Sequence, residues 1–180
     1  MVYDEKFESL ADIEGMQERT IILDGFSKTY AMTGWRMGYG VMPNHLAAQI
    51  TKLQVNSNSC ASSFSQRACL EALTGPQDES GRMIAEFKKR RDVIVDGLND
   101  IPGFRCLRPK GAFYVFPNIE GTGKSSGELE TILLNDAGVA TLSGLSFGEY
   151  GKGYLRFSYA NSVENLEKAL RWIKHTVEKF

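Results

Sequence analysis

The chain has 180 residues and a formal net charge of −1, a balance that offers neither the basic footprint of a nucleic-acid binder nor a cationic membrane-surface face. No apolar run is long enough to cross a bilayer, and the opening Met1-Val-Tyr-Asp-Glu-Lys lacks the apolar centre of a signal peptide. Three irregularly spaced cysteines with two histidines suit neither a disulfide framework nor a zinc site, so a soluble cytoplasmic protein with one ordinary domain or two small ones is expected.

Along the chain, Thr20–Asp24 reads as a short apolar strand, followed by a loop from Gly25 to Gly34 and a second strand, Arg36–Met42, stopped by Pro43-Asn44. Two helices are predicted over about Asn44–Val55 and Ser62–Leu73, the second ended by Thr74-Gly75-Pro76. A long amphipathic helix follows over Asp78–Leu98. Its apolar face carries Ile84, Phe87, Ile94 and Leu98, and the run Lys88-Lys89-Arg90-Arg91 reads as a solvated face. Beyond Ile101-Pro102-Gly103, short strands (Phe104–Leu107, Ala112–Phe116, Val139–Leu142, Tyr154–Tyr159) alternate with helices Ser126–Asp136 and Val163–Lys179. In the last helix Val163, Leu166, Leu170, Ile173 and Val177 recur at spacings of three and four, and Asn161 with Glu164 resembles a capping box. The expected organisation is residues 1–77 as one unit, 78–99 as a connecting helix and 100–180 as a compact α+β domain.

Chemistry concentrates in Gly25-Phe-Ser-Lys28-Thr-Tyr-Ala-Met-Thr-Gly34-Trp-Arg36-Met-Gly38. Lys28 and Arg36 are separated by roughly 26 Å if the chain between them is extended. A turn is needed to bring amine and guanidinium together, and Gly34 is placed to provide one. Ser27 adds a hydroxyl donor, and Arg36 opening a strand could offer its planar donor fork to an anion. Farther on, strict alternation puts Leu155, Phe157 and Tyr159 on one strand face and Tyr154, Arg156 and Ser158 on the other. Arg156 then either forms a structural ion pair or grips a carboxylate in two-point fashion.

The Lys28 segment resembles the pyridoxal 5′-phosphate (PLP) attachment signature of class I/II aminotransferases, the aspartate aminotransferase superfamily of fold type I. Small residue, Ser, Lys, Gly, Arg and Gly all stand at the family spacing. The likeness continues in Lys110-Gly-Ala-Phe-Tyr-Val-Phe-Pro117, in Gly144-Leu-Ser-Phe-Gly148 and in Gly153-Tyr-Leu-Arg156-Phe-Ser-Tyr-Ala160. It implies an α/β chain in which residues 1–77 are the C-terminal part of the large PLP-binding domain and 100–180 the small α+β domain. It further implies that Lys28 is catalytic and forms the Schiff base with PLP, that Ser27 and Arg36 hold the cofactor phosphate, and that Arg156 binds the substrate α-carboxylate. The implied activity is transamination between an amino acid and a 2-oxo acid, in a full-length enzyme that is a homodimer.

The sequence departs from that pattern in length, at about half a fold type I aminotransferase. The family's aspartate on the pyridine nitrogen and the tyrosine on the ring hydroxyl would lie before Met1, so Tyr3 is not that tyrosine. Gly25 stands where some relatives have a phosphate-binding Ser, and Asn58-Ser-Cys-Ala61 replaces an Asn-Pro-type turn. The 180 residues alone are therefore expected to bind PLP weakly and to show little or no transaminase activity. Competing expectations are a C–S lyase or synthase of the same fold, or a non-catalytic fragment. A P-loop at Gly123-Lys124-Ser125 fails because the first glycine of that pattern would fall on Asn118.

Overall fold

The computed structural model describes all residues, Met1–Phe180. They form two compact units: Met1 with Glu5–Arg82, and Val2–Asp4 with Met83–Phe180.

The first unit is built on an antiparallel pair, β1 (Ile22–Gly25) and β2 (Gly38–Val41), with Ile22 opposite Val41 and Gly25 opposite Gly38. β1 falls at Ile22–Gly25 instead of Thr20–Asp24, and β2 starts two residues later than its apolar pattern because Phe26, opposite that end, leaves the ladder to enter the core. Its N–H still reaches Met37 O at 3.3 Å, while its own carbonyl turns to accept from Tyr30 N and Met32 N. Phe26, Met32 and Cys69 are buried together, with Tyr30, Met37, Ala68 and Ala72 packed around them. Two helices follow, α1 (Asn44–Asn58) and α2 (Ser63–Thr74). The predicted stop after α2 is realised by Gly75, whose N–H caps Glu71 O at 2.7 Å. No residue of α1 is buried.

Helix α3 (Asp78–Asn99) begins in the first unit and continues into the second. In the second unit it buries Ile94 and Leu98 of the predicted apolar stripe, with Val95 added, and also Arg91, while Ile84 and Phe87 of that stripe are half-buried. Reading the basic run as wholly solvated is therefore wrong at Arg91, which is 3% exposed. Its guanidinium is neutralised by Asp4 at 3.0 Å and Asp92 at 2.8 Å, and it lies over the Tyr3 ring.

The second unit's sheet has the order β3-β5-β4, all antiparallel: β3 (Tyr114–Val115), β4 (Leu142–Ser143) and β5 (Leu155–Ser158). Leu155, Phe157 and Tyr159 are buried and Arg156 and Ser158 face outward, as the alternation predicts. Helices α4 (Ser126–Asp136) and α5 (Val163–Val177) complete one core with Leu129, Leu133, Leu166, Ile173 and Val177.

Three local expectations are corrected. Phe104–Leu107 forms no strand beyond a bridge from Arg105 to Asn118, because the Asn99 side chain satisfies both backbone groups of Cys106 (2.8 and 3.0 Å) and replaces a ladder partner. The predicted strand Val139–Leu142 starts late, since Val139 N–H is spent on capping Leu133 O at the end of α4. Helix α5 is capped by Ser162, whose hydroxyl accepts from Asn165 N, and Asn161 instead supports that cap. The Gly123-Lys124-Ser125 turn has an ordinary explanation: Ser125 and Glu128 form a reciprocal capping box for α4.

Candidate functional site

The loop between β1 and β2 carries Ser27, Lys28 and Arg36, and its shape follows from how Phe26 is anchored. With the Phe26 carbonyl accepting two backbone N–H groups, residues 27–31 are forced outward in a tight turn, closed by Ala31 N–H on Lys28 O at 3.3 Å. Ser27 is partly buried and Lys28 exposed at the head of this turn. The loop is tied to the start of α3 by Ser80 Oγ on Thr29 O and by Tyr30 Oη with Gln77 Oε1, both at 3.2 Å.

The turn is not made by Gly34, as the sequence suggests. Gly34 lies in a single 3₁₀ turn, Thr33–Trp35, and the left-handed positions are Ala31 (φ 54°) and Arg36 (φ 55°). Non-glycine residues there cost on the order of 1–2 kcal/mol each, strain that tends to collect at functional loops. Arg36 consequently does not open the strand; it ends the 3₁₀ turn, two residues ahead of β2.

The Arg36 guanidinium makes one hydrogen bond, to Thr33 O at 3.0 Å, and pairs with no carboxylate. It lines a cavity of about 570 Å³ together with Asp24, Tyr39, Asn58, Ser59 and Cys60; Ser27 and Lys28 are not among the lining residues. Asp24 is occupied locally, accepting from Gly25 N at 2.6 Å and from Tyr39 Oη at 3.3 Å. Burial, reinforced by Asp24, pushes the Tyr39 phenol above its ordinary pKa, so it stays a neutral donor.

Arg156 lies in the second unit, on the central strand β5, opposite Leu142 of β4. Its guanidinium carbon is 4.5 Å from the Tyr114 ring centroid and 4.6 Å from that of Phe147. It forms no ion pair with any acidic residue of the chain, so the structural ion pair that the sequence left open does not exist. The two aromatic partners escaped the sequence reading. Tyr114 could have been found from the strand pairing, since it stands opposite Ser158, two residues from Arg156. Phe147 arrives on a loop and gives no periodic signal.

Chemically, the first unit thus carries on one loop an amine, a hydroxyl and the Arg36 guanidinium, the last spending one hydrogen bond on Thr33, and the second carries a guanidinium with no acidic partner on the central strand β5. The sequence family "Aminotransferase class I and II" matches residues 1–173. The putative aminotransferase YugH of Bacillus subtilis is 41% identical over 99% of this chain and 46% of its own length, and an aspartate aminotransferase of Pyrococcus abyssi is 41% identical over 94% and 44%. Among solved structures, an aromatic aminotransferase from Pyrococcus horikoshii superposes with a TM-score of 0.94 at 38% identity, covering 99% of this chain and 48% of that one. An aspartate aminotransferase from Rhizobium meliloti gives 0.93 at 39% identity, covering 98% and 47%. The fold is therefore that of PLP fold type I aminotransferases, and the chain spans about half the length of the curated relatives it matches.

Proposed function

This chain belongs to the class I and II aminotransferases, and from that premise we propose that it contributes the lysine, phosphate and carboxylate contacts of a PLP-dependent transamination between an amino acid and a 2-oxo acid. The observation that carries this reading is the state of its two assigned anion-binding residues. Arg36 spends one hydrogen bond on Thr33 and Arg156 forms no ion pair, whereas Arg91 is consumed by Asp4 and Asp92.

The donor set fits the cofactor: an amine for an aldehyde, with a guanidinium and a hydroxyl for a phosphate, all on one loop. When bound, PLP supplies the electron sink that makes the amino acid's Cα–H acidic enough to lose its proton. Ser27 Oγ and the Arg36 guanidinium would donate to the cofactor's phosphate. Lys28 Nζ would hold the cofactor aldehyde, and it is the group on this chain that would take up the Cα proton as general base and return it as general acid. Arg156 holds the α-carboxylate through its planar donor fork and so orients the Cα–H bond.

We infer as well that the working enzyme is a cytoplasmic homodimer and that the 180 residues alone bind PLP weakly, with little turnover. Support for the assembly comes from the surface of the first unit. The β1–β2 pair has no further strand on either edge, and Leu23 (79% exposed) and Phe64 (73%) are large apolar side chains that a complete assembly would cover.

Borohydride reduction of the chain mixed with PLP, followed by peptide mapping, tests the assignment. Stable modification is expected at Lys28 in preference to the other lysines and is expected to fall in Arg36→Gln. Labelling spread evenly over surface lysines, or none at Lys28, supports a non-catalytic fragment instead. A lasting yellow absorbance with measurable turnover in this chain alone overturns the prediction of weak activity.

A further inference from the structure

We propose that Tyr114 and Phe147 are positioning residues for Arg156, holding its guanidinium by the ring faces so that its N–H donors stay available to a carboxylate. The inference rests on the assignment of Arg156 to the α-carboxylate.

A long arginine side chain on a sheet surface is normally fixed by an acidic neighbour, and such a neighbour consumes the donors and the charge that a substrate carboxylate needs. Here no acidic residue pairs with Arg156. The two contacts that hold it are aromatic, at 4.5 and 4.6 Å from the ring centroids, well within the range of about 6 Å for a cation–π interaction. Aromatic carbon offers no hydrogen-bond acceptor in competition with a carboxylate. The charge is held without being neutralised, and rotamer freedom otherwise lost on binding is removed in advance.

The rings are themselves braced. Tyr114 stands on β3, paired to the same strand that carries Arg156. Phe147 sits edge-on to Phe116 at 6.0 Å, and Phe116 stacks on Tyr154 at 5.4 Å with an interplanar angle of 12°. The Phe147 loop is closed where Gly144 meets Gly151, a crossing so close that a Cβ on either would overlap the other's backbone carbonyl. Gly144 N–H then reaches Tyr154 O at 2.8 Å, fastening the loop beside β5. Partial exposure of both rings, 36% for Tyr114 and 52% for Phe147, fits a surface kept open to a ligand.

The test is a propionate titration of the isotope-labelled full chain, followed by NMR at the Arg156 Nε–Hε group. The ring-current shift of the Arg156 Hδ protons serves as a second readout. Tyr114→Leu and Phe147→Leu are each expected to weaken propionate binding about two- to fivefold and to relax part of the ring-current shift. Tyr114→Phe and Phe147→Tyr, which keep a ring, are expected to restore both, with the amide signals of Leu129 and Ile173 in the helices of the same core unchanged throughout. Leucine variants that bind as well as the parent, while Arg156→Gln loses binding, overturn the positioning role and leave the carboxylate assignment standing. No Arg156-dependent binding in the parent chain overturns both.

Discussion

The phenol oxygens of Tyr3 and Tyr159 lie 3.1 Å apart, and both approach the carbonyl of Ala112, that of Tyr159 at 2.9 Å. Each phenol has one proton to give, and a carbonyl with two lone pairs can accept both. This meeting, with Tyr3 N–H on Lys110 O at 3.0 Å, fastens the first residues of the chain into the second unit.

Burial pushes both phenols above their ordinary pKa, Tyr159 the further because Tyr3 adds to it. The folded chain therefore keeps protons that the unfolded chain releases. The stability this pair contributes is complete below about pH 10 and is lost as pH rises beyond it. Tyr159→Phe is expected to lower stability by about 1 kcal/mol at neutral pH and to flatten the alkaline decline. Urea unfolding between about pH 8 and pH 11 checks both.

Asp4 titrates at the opposite limit. Lys88, and after it Arg91, hold its carboxyl below the usual carboxylate range by hydrogen bonding. The stability it contributes is present above about pH 4 and is lost as pH falls through its lowered pKa. Asp4→Asn is thus expected to destabilise the chain at pH 7, with the difference from the parent disappearing in acid. Amide exchange at Val2–Asp4, which bridge to Gly111 and Lys110 in the parent, is expected to accelerate in the variant.

At the crossing of Gly144 and Gly151, a methyl group has nowhere to go. Gly151→Ala is expected to cost about 2–3 kcal/mol, or to displace the Phe147 loop and with it the ring-current shift on Arg156. Gly127→Ala, in α4 with open space around it, is expected to be neutral or stabilising by up to about 1 kcal/mol. Thermal melts of the two variants separate a packing effect from a general loss of chain flexibility.

Protection from hydrogen exchange is expected to follow burial. Seventeen buried apolar residues form the core of the second unit and three that of the first, so the slowest amides belong to α4, α5 and the second half of α3. Those of α1, which buries nothing, are expected to exchange on the order of a hundredfold faster or more. Comparable protection in α1 would show that its apolar side chains, Leu53 and Val55 among them, are covered in solution.

Elements whose signals are local were legible in the sequence. The α5 stripe from Val163 to Val177, the stop at Gly75 and the alternation that turns Arg156 outward all follow from helical or strand periodicity and glycine chemistry. The likeness carried by Lys28, Ser27, Arg36 and Arg156 was readable for the same reason, since residue type and spacing are properties of the chain itself. The Lys28 loop was only half legible: its anchor, Phe26, is an ordinary apolar residue, but the left-handed turns fall on Ala31 and Arg36 instead of on Gly34, the residue that propensity favours.

What the tertiary structure decided are relationships between residues far apart in the chain, where no periodicity operates. Arg91 looks like one member of a solvated basic run until Asp4 arrives from 87 positions away to neutralise it. Cys106 sits in a strand pattern, yet Asn99 claims its backbone groups before a partner strand can. That Arg156 rests on Tyr114 and Phe147, with no acidic partner among 22 acidic residues, depends on which side chains the sheet and the glycine crossing bring within 5 Å of it. Sequence determined which groups the protein has to bind anions, because composition and spacing are written in it; only packing decided which of those groups were left unspent.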